Sequence, residues 1–308
     1  MKETQNGIAY YKPIVRDSIV YSIDKVRISF QLICSVSLQL RNEPDSIQNF
    51  FDYIQLKSDE ETLYRKIVFE RIYTHQRNKL CIHVAIFFSD NSTGKGFIEF
   101  NPNKVFQSPK AIYEIQNFLN ACESVSIDRY DLAIDIPCEM SSIFPRKGRK
   151  KMMLFISSPN NYTVYWGERN KVGFAKLYDK SEQCGLSSSI TRLEITLGNP
   201  EGTTWEHELM NAIPPVYIPA DIITNDSEPK LSSPEKVILI LSRLLMKNEI
   251  DRILLFNILG RLKDKNRRNV IQNLLLSGYK QFSPDIQMIS QVTAQFVNEI
   301  RGQNIKSA

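Results

Sequence analysis

Short acids stand in the middle of segments that otherwise favour β-structure, where Asp is normally disfavoured. In residues 129–136, Arg129, Asp131 and Asp135 alternate with Tyr130, Leu132, Ile134 and Ile136. Successive strand side chains point to opposite faces, so the charges share one face and the apolar set the other. Residues 173–180 repeat the pattern, with Phe174, Lys176, Tyr178 and Lys180 opposite Ala175 and Leu177. In residues 191–197, Arg192, Glu194 and Thr196 oppose Leu193, Ile195 and Leu197, and Glu99 sits between Ile98 and Phe100. Gathered on one surface, Glu99, Asp131, Asp135 and Glu194 can hold a metal ion. Arg129, Arg192, Lys176 and Lys180 can meet phosphates there. Each acid alone is more often a solvated surface residue, because a sheet with one wet face shows the same alternation.

Tyr178 admits two readings. A phenol with a free pKa near 10 attacks only with help from a cation or a metal, and Lys176 and Lys180 flank it on its own face. It is equally an amphipathic strand residue, and spacing alone favours that plainer reading. The three histidines, His75, His83 and His207, show no metal-binding spacing. Any catalytic ion therefore rests on carboxylates, which favours a hard cation, Mg²⁺ or Mn²⁺. Cys34, Cys81, Cys122, Cys138 and Cys184 lie far apart, which reads as reduced thiols in a cytoplasmic protein.

The elements that must position these residues follow from periodicity. Residues 24–30 alternate as a half-buried strand, 47–54 read as a helix, and 63–72 with 79–88 read as paired strands. A short strand, 97–100, stops at Asn101-Pro102-Asn103, and Ser108-Pro109 opens a helix to about residue 121. Strands are expected at 129–136, 162–166, 173–178 and 191–197. The economical assembly is α+β: an antiparallel sheet with helices on its apolar face and a charged working surface on the other. Beyond residue 200 prolines accumulate, and from residue 233 the pattern turns helical, with Ser283-Pro284-Asp285 starting the last helix. The expected division is a tail (1–20), a catalytic domain (21–200), a linker (201–230) and a C-terminal helical domain (231–308).

The chain has 308 residues, 42% hydrophobic and 24% charged, as in a globular protein. Its longest apolar runs fall far short of the roughly 20 residues that span a bilayer, and its polar start suggests no signal peptide, so no membrane partner is expected. Net charge is +5, which fits a nucleic-acid partner without demanding one. Its distribution says more. Arg146, Lys147, Arg149, Lys150 and Lys151 crowd into one loop, and Lys263, Lys265, Arg267 and Arg268 into another. Such blocks are usually solvated loops, yet two of them raise the case for phosphate contacts.

Five segments together resemble the Rep-trans family of rolling-circle plasmid replication initiators. Glu99-Phe100-Asn101-Pro102-Asn103-Lys104 resembles the family's Glu-Phe-Asn-Pro-Asn-Lys block. Arg129-Tyr130-Asp131-Leu132-Ala133-Ile134-Asp135 is similar to its Arg-Leu-Asp-Leu-Ala-Phe-Asp strand. Tyr165-Trp166-Gly167-Glu168-Arg169 resembles Tyr-Phe-Gly-x-Arg, and Lys176-Leu177-Tyr178-Asp179-Lys180 resembles Arg-Ile-Tyr-Asn-Lys. Arg192-Leu193-Glu194-Ile195 then stands for Arg-Val-Glu-Ile, with Thr191 where the family has Trp. Order and spacing agree over about residues 20–200.

The resemblance implies a relaxase-like nicking endonuclease in which Tyr178 is the nucleophile and forms a 5′-phosphotyrosyl link. It marks Asp131, Asp135, Glu99 and Glu194 as the metal neighbourhood, with Asp24 a weaker candidate. Lys176, Lys180 and Arg129 would assist, while Arg192, Arg169 and the two basic loops would meet DNA. It also implies a homodimer and a host helicase as partners. A relaxase of a mobilisable element uses the same chemistry, and a non-catalytic DNA-binding protein working through Lys263, Arg267 and Arg268 is a third reading.

Overall fold

The computed structural model describes residues 13–51, 57–59, 69–75, 82–88, 94–146, 148–158, 161–219, 266 and 279–302. They form an α+β fold around an eleven-stranded sheet in which every pairing is antiparallel. Its strands are β1 (Ile14–Arg16), β2 (Ile19–Leu32), β3 (Lys57–Asp59), β4 (Phe69–His75), β5 (Ile82–Phe88) and β6 (Lys95–Phe100). They continue with β7 (Cys122–Ile136), β9 (Met152–Ser158), β10 (Asn161–Trp166), β11 (Ala175–Asp179) and β12 (Thr191–Leu197). The order across the sheet is β3-β4-β5-β6-β2-β7-β12-β11-β10-β9, with β1 beside β2. A smaller sheet joins β8 (Phe144–Pro145), β13 (Val216–Pro219) and β14 (Tyr279–Gln281).

The two long central strands carry a change of phase that the sequence also shows. On β2 the buried positions run Tyr21, Ile23, then Val26, Ile28, Phe30 and Leu32, switching from odd to even. The register shifts between Ile23 and Lys25, a β-bulge that inserts one residue and turns both Asp24 and Lys25 toward the polar face. β7 is odd at Ile127 and even at Tyr130, Leu132, Ile134 and Ile136, and its own irregularity lies opposite Arg27 and Ile28.

Helices close the apolar face because their own apolar residues recur at three and four. α1 is Cys34–Asn42, and the short α2 is Pro102–Val105. In α3 (Pro109–Asn120) the buried set is Ala111, Ile112, Ile115, Phe118 and Leu119, and Ser108 caps the start by accepting from the Ala111 amide at 3.4 Å. α4 is Lys180–Cys184 and α5 is Trp205–Ala212. The last helix, α6 (Ile286–Ile300), buries Ile289, Val292, Phe296 and Ile300, and Asp285 caps it. Phe118 meets Phe30 edge-on at 4.9 Å, and Phe296 lies 6.3 Å from Tyr130. Each such ring or aliphatic chain contributes about 1.5–3 kcal/mol by leaving water.

Several expectations shift. Residues 44–49 form a short 3₁₀ helix, Pro44–Asn49, where a helix over 47–54 is expected, and α1 precedes it. Strand β9 and helix α5 are not foreseen: Met152–Ser158 reads as the end of a basic loop, and Trp205–Ala212 as proline-rich linker. Ile14–Arg16, expected in a tail, pairs with β2. α6, expected in a separate helical domain, packs into the same core as the sheet, where Tyr130 accepts from Trp205 Nε1 at 2.6 Å and lies 3.4 Å from Thr293 Oγ1. Lys147 and the block Lys263, Lys265, Arg267 and Arg268 lie outside the described residues.

Candidate active site

Cross-strand pairing brings the predicted residues onto one face. Asp135 opposes Arg192, which opposes Tyr178; Glu194 opposes Lys176; Asp131 opposes both Thr196 and Lys25. Arg27 opposes Arg129 on one side and Glu99 on the other. Directly paired antiparallel residues point the same way, so registry alone gathers five strands' polar residues into a patch.

At its centre the Tyr178 hydroxyl donates a short hydrogen bond to Glu194 Oε1, while Lys176 Nζ reaches Glu194 Oε2 at 2.6 Å. Both partners are buried, at 8% and 4% exposure. Burial lifts the Glu194 carboxyl above the usual carboxylate range, against the pull of Lys176. Burial also raises the Tyr178 phenol, and the Glu194 charge raises it further. The expectation that Lys176 and Lys180 lower the Tyr178 pKa is therefore corrected. Their ammonium groups stand over the ring face, 4.9 and 5.9 Å from its centroid, and not at the hydroxyl. Lys180 also begins α4 instead of extending the strand, and its Nζ is 3.1 Å from Gln183 Oε1.

Arg192 is the second anchor. It donates to both Asp135 oxygens, at 2.5 and 2.7 Å, and its third nitrogen lies 3.2 Å from Asp24 Oδ1. Burial alone would lower its pKa, but the two carboxylates outweigh that and raise it. Asp24 is itself held by Asn101 Nδ2 at 3.0 Å. Arg192, expected on DNA, thus holds the carboxylates of two strands together.

Glu99 lies at the far side of the patch with Lys25 at 2.5 Å, Arg27 at 2.9 Å and Arg129 at 3.5 Å. Burial would raise its pKa, yet Lys25 and Arg27 prevail and hold it low. Asp131 accepts from Thr196 Oγ1 at 2.6 Å, and burial raises its pKa.

The four acids expected to share a metal are dispersed in this arrangement. Both Asp135 oxygens face Arg192, both Glu194 oxygens are engaged by Tyr178 and Lys176, and Glu99 is surrounded by three cations. Among the described residues, no group of three or more His, Cys, Asp and Glu is placed to hold a metal ion. The donors do not fit a divalent ion without first losing these partners. The positive charge at hand is that of the side chains.

That charge lines a pocket of about 190 Å³ formed by Lys25, Arg129, Asp131, Lys176, Glu194 and Thr196, closed by Tyr165, Phe174, Arg169 and Asn170. Tyr165 stacks on Phe174 at 5.9 Å. The β10–β11 loop reaches the pocket because Gly167, Asn170 and Gly173 adopt φ of +85°, +66° and +82°, conformations that glycine takes freely and Asn tolerates. Arg129 Nη1 fastens that loop by donating to the Asn170 carbonyl at 2.6 Å. Reasoning from sequence misses Lys25 and Arg27, and it places Thr196 on the polar face and Tyr165 in a motif without giving either a role at the site. The phase switch on β2 was the signal for Lys25, and the Tyr-x-Gly-x-Arg segment the signal for Tyr165. Of the basic loop, Arg149 and Lys151 are exposed or nearly so, whereas Lys150 donates to the Gly173 carbonyl and its ammonium is lowered in pKa by burial. No helix among the described residues is long and apolar enough to cross a membrane.

No family model matches the sequence, and no curated protein matches it. Among solved structures it is similar to a rolling circle replication initiator protein from Geobacillus stearothermophilus. The likeness covers 83% of this chain and 97% of that one, at 14% identity and a TM-score of 0.37. A similarity this distant carries no inference about activity.

Proposed function

We propose that this chain cuts and rejoins one DNA strand at a replication origin, with Tyr178 as nucleophile, and so starts rolling-circle replication. The observation that carries the reading is the Tyr178 hydroxyl bonded to a buried carboxylate beside a cation-lined pocket. The ordered motif blocks support it, since registry brings their polar residues to one face.

In the proposed step, a strand's phosphate enters the pocket and is neutralised by Lys25, Lys176, Arg129 and Arg169. The Tyr178 oxygen attacks phosphorus while Glu194 accepts the phenolic proton. The bond from phosphorus to the 3′ oxygen breaks, and that oxygen takes a proton from water. A 5′-phosphotyrosyl link and a free 3′-hydroxyl result. Rejoining runs the same path backwards, with Glu194 returning the proton. A raised carboxyl pKa suits this role, because a general base works best with a pKa near the operating pH. A homodimer and a host helicase belong to the proposal through the sequence resemblance alone, as does a need for Mg²⁺ or Mn²⁺, which this site could meet only by giving up the partners that now hold Asp135, Glu194 and Glu99.

The test incubates the protein with a labelled single-stranded origin oligonucleotide, with and without Mn²⁺, and looks for a protein-linked fragment on a denaturing gel. Tyr178→Phe is expected to abolish the adduct and to leave oligonucleotide binding intact. An adduct that persists in Tyr178→Phe overturns the assignment.

A further inference from the structure

Among the described residues strand β9 is an edge of the large sheet, and on the polar face it carries large apolar side chains open to water. Met153 and Phe155 are 46% and 60% exposed. Registry places Met153 opposite Tyr165, which opposes Lys176, and Phe155 opposite Thr163, which opposes Tyr178. A phenyl ring standing open to water therefore lies in the same cross-strand row as the phenol, two strands away. Adjacent strands are about 4.8 Å apart, so the two backbone positions are roughly 10 Å from each other.

Nothing in the fold asks for an aromatic there. Met152 and Leu154, the alternate residues of the same strand, already pack on the core. Single exposed apolar residues are common, but this one shares its face of the sheet with several cations. Lys151 precedes the strand, with its carbonyl accepting from the Gly167 amide, and two strands away Lys176 and Lys180 overhang the phenol of the same row. An aromatic face beside cations, in line with a phosphate pocket, is what an unpaired nucleotide strand requires. Bases stack on the ring and the backbone follows the charge. Duplex DNA keeps its bases stacked on one another and offers none to such a ring.

We infer that Phe155, backed by Met153, is a stacking platform for an unpaired base of the bound strand, next to or one removed from the phosphate that Tyr178 attacks. This rests on the nicking reading for its polarity, not for its measurement. A strand held at both the ring and the pocket would have its backbone drawn across Tyr178, so the platform contributes to where the cut falls.

The test measures binding of a fluorescein-labelled single-stranded origin oligonucleotide by anisotropy in the non-cleaving Tyr178→Phe protein. Adding Phe155→Ala is expected to weaken binding roughly tenfold or more, the size of one base–aromatic stack. Phe155→Trp is expected to keep the affinity, and Phe155→Leu to lose it as Ala does. An abasic residue at the stacked position should weaken the parent protein and cost Phe155→Ala nothing more. Because the ring is exposed, the melting temperature should not move. Unchanged affinity in Phe155→Ala overturns the inference, as does full affinity in Phe155→Leu. Sedimentation separates the rival occupant: a dimer that Phe155→Ala dissociates, with DNA affinity unaltered, would assign the surface to a second copy of the chain. If Tyr178-dependent adducts never form, the nicking reading fails while the anisotropy result still stands or falls by itself.

Discussion

Glu99 and Glu194 stand on the same face of one sheet, on β6 and β12 with only β2 and β7 between them, yet their surroundings set them to opposite tasks. Glu99 meets Lys25, Arg27 and Arg129, and its proton is held off. Glu194 is more deeply buried, has Lys176 alone among the described residues as a cation within bonding distance and shares its other oxygen with a phenol, so its affinity for a proton rises. The number of neighbouring cations and the depth of burial decide the difference, since both side chains are the same acid. One corner is a fixed anion that gathers three cations around it. The other can take a proton and give it back.

The most severe way to break that division is Glu194→Gln. It removes the proton acceptor and leaves the shape, so adduct formation should fall by roughly 10²–10⁴ while oligonucleotide affinity is kept. In the wild type the rate should drop as pH falls through the Glu194 pKa, which lies above the ordinary carboxylate range because burial favours the protonated form. That acid limb should vanish from the residual activity of Glu194→Gln. A limb that survives would move the base elsewhere.

Arg192→Met tests the frame between the corners. It leaves Asp135 and Asp24 without the guanidinium that joins them. Breaking a buried pair by removing one partner costs about 3–5 kcal/mol, and the partial exposure of both acids puts the expectation at the lower end. Urea unfolding would measure it. A loss under about 1 kcal/mol would show that Arg192 is free to meet DNA, as its sequence position first suggests.

Glu99→Gln should do least. Its cations are partly exposed, so the stability change should be about 1 kcal/mol or less. The sign with pH is definite. A carboxyl with a lowered folded-state pKa stabilises above its unfolded pKa, and that contribution is lost as pH falls through the folded value. The melting difference between wild type and variant should accordingly shrink at acid pH. Uncovering three cations should tighten single-strand binding and steepen its salt dependence, with nicking changed less than tenfold. If Glu99→Gln abolished the adduct as thoroughly as Glu194→Gln, the two acids would not differ in role.

Much of this surface was legible in advance. Alternation in 129–136 and 191–197 shows which residues share a face, because a strand's period is two and a one-residue error would expose its whole apolar set. Ser108-Pro109 and Ser283-Pro284-Asp285 announce α3 and α6, since their capping chemistry is local. Met152–Ser158 gives no strand signal because Met-Met-Leu-Phe-Ile lacks alternation. An edge strand that packs on one side and offers Met153 and Phe155 on the other looks like a plain apolar run.

The linear sequence determined the α+β class and the face on which Glu99, Asp131, Asp135 and Glu194 lie, which follow from local periodicity, and it offered Tyr178 as candidate nucleophile only through the resemblance of its motif blocks. Tertiary structure alone decided that Arg192 clamps Asp135 and Asp24, that Lys25 and Arg27 claim Glu99, and that Tyr178 gives its hydrogen bond to Glu194. Those pairings depend on strand order and on the bulge at Asp24 and Lys25. They join residues far apart in the chain, and a charge's partner is set by distance in space and by depth from water.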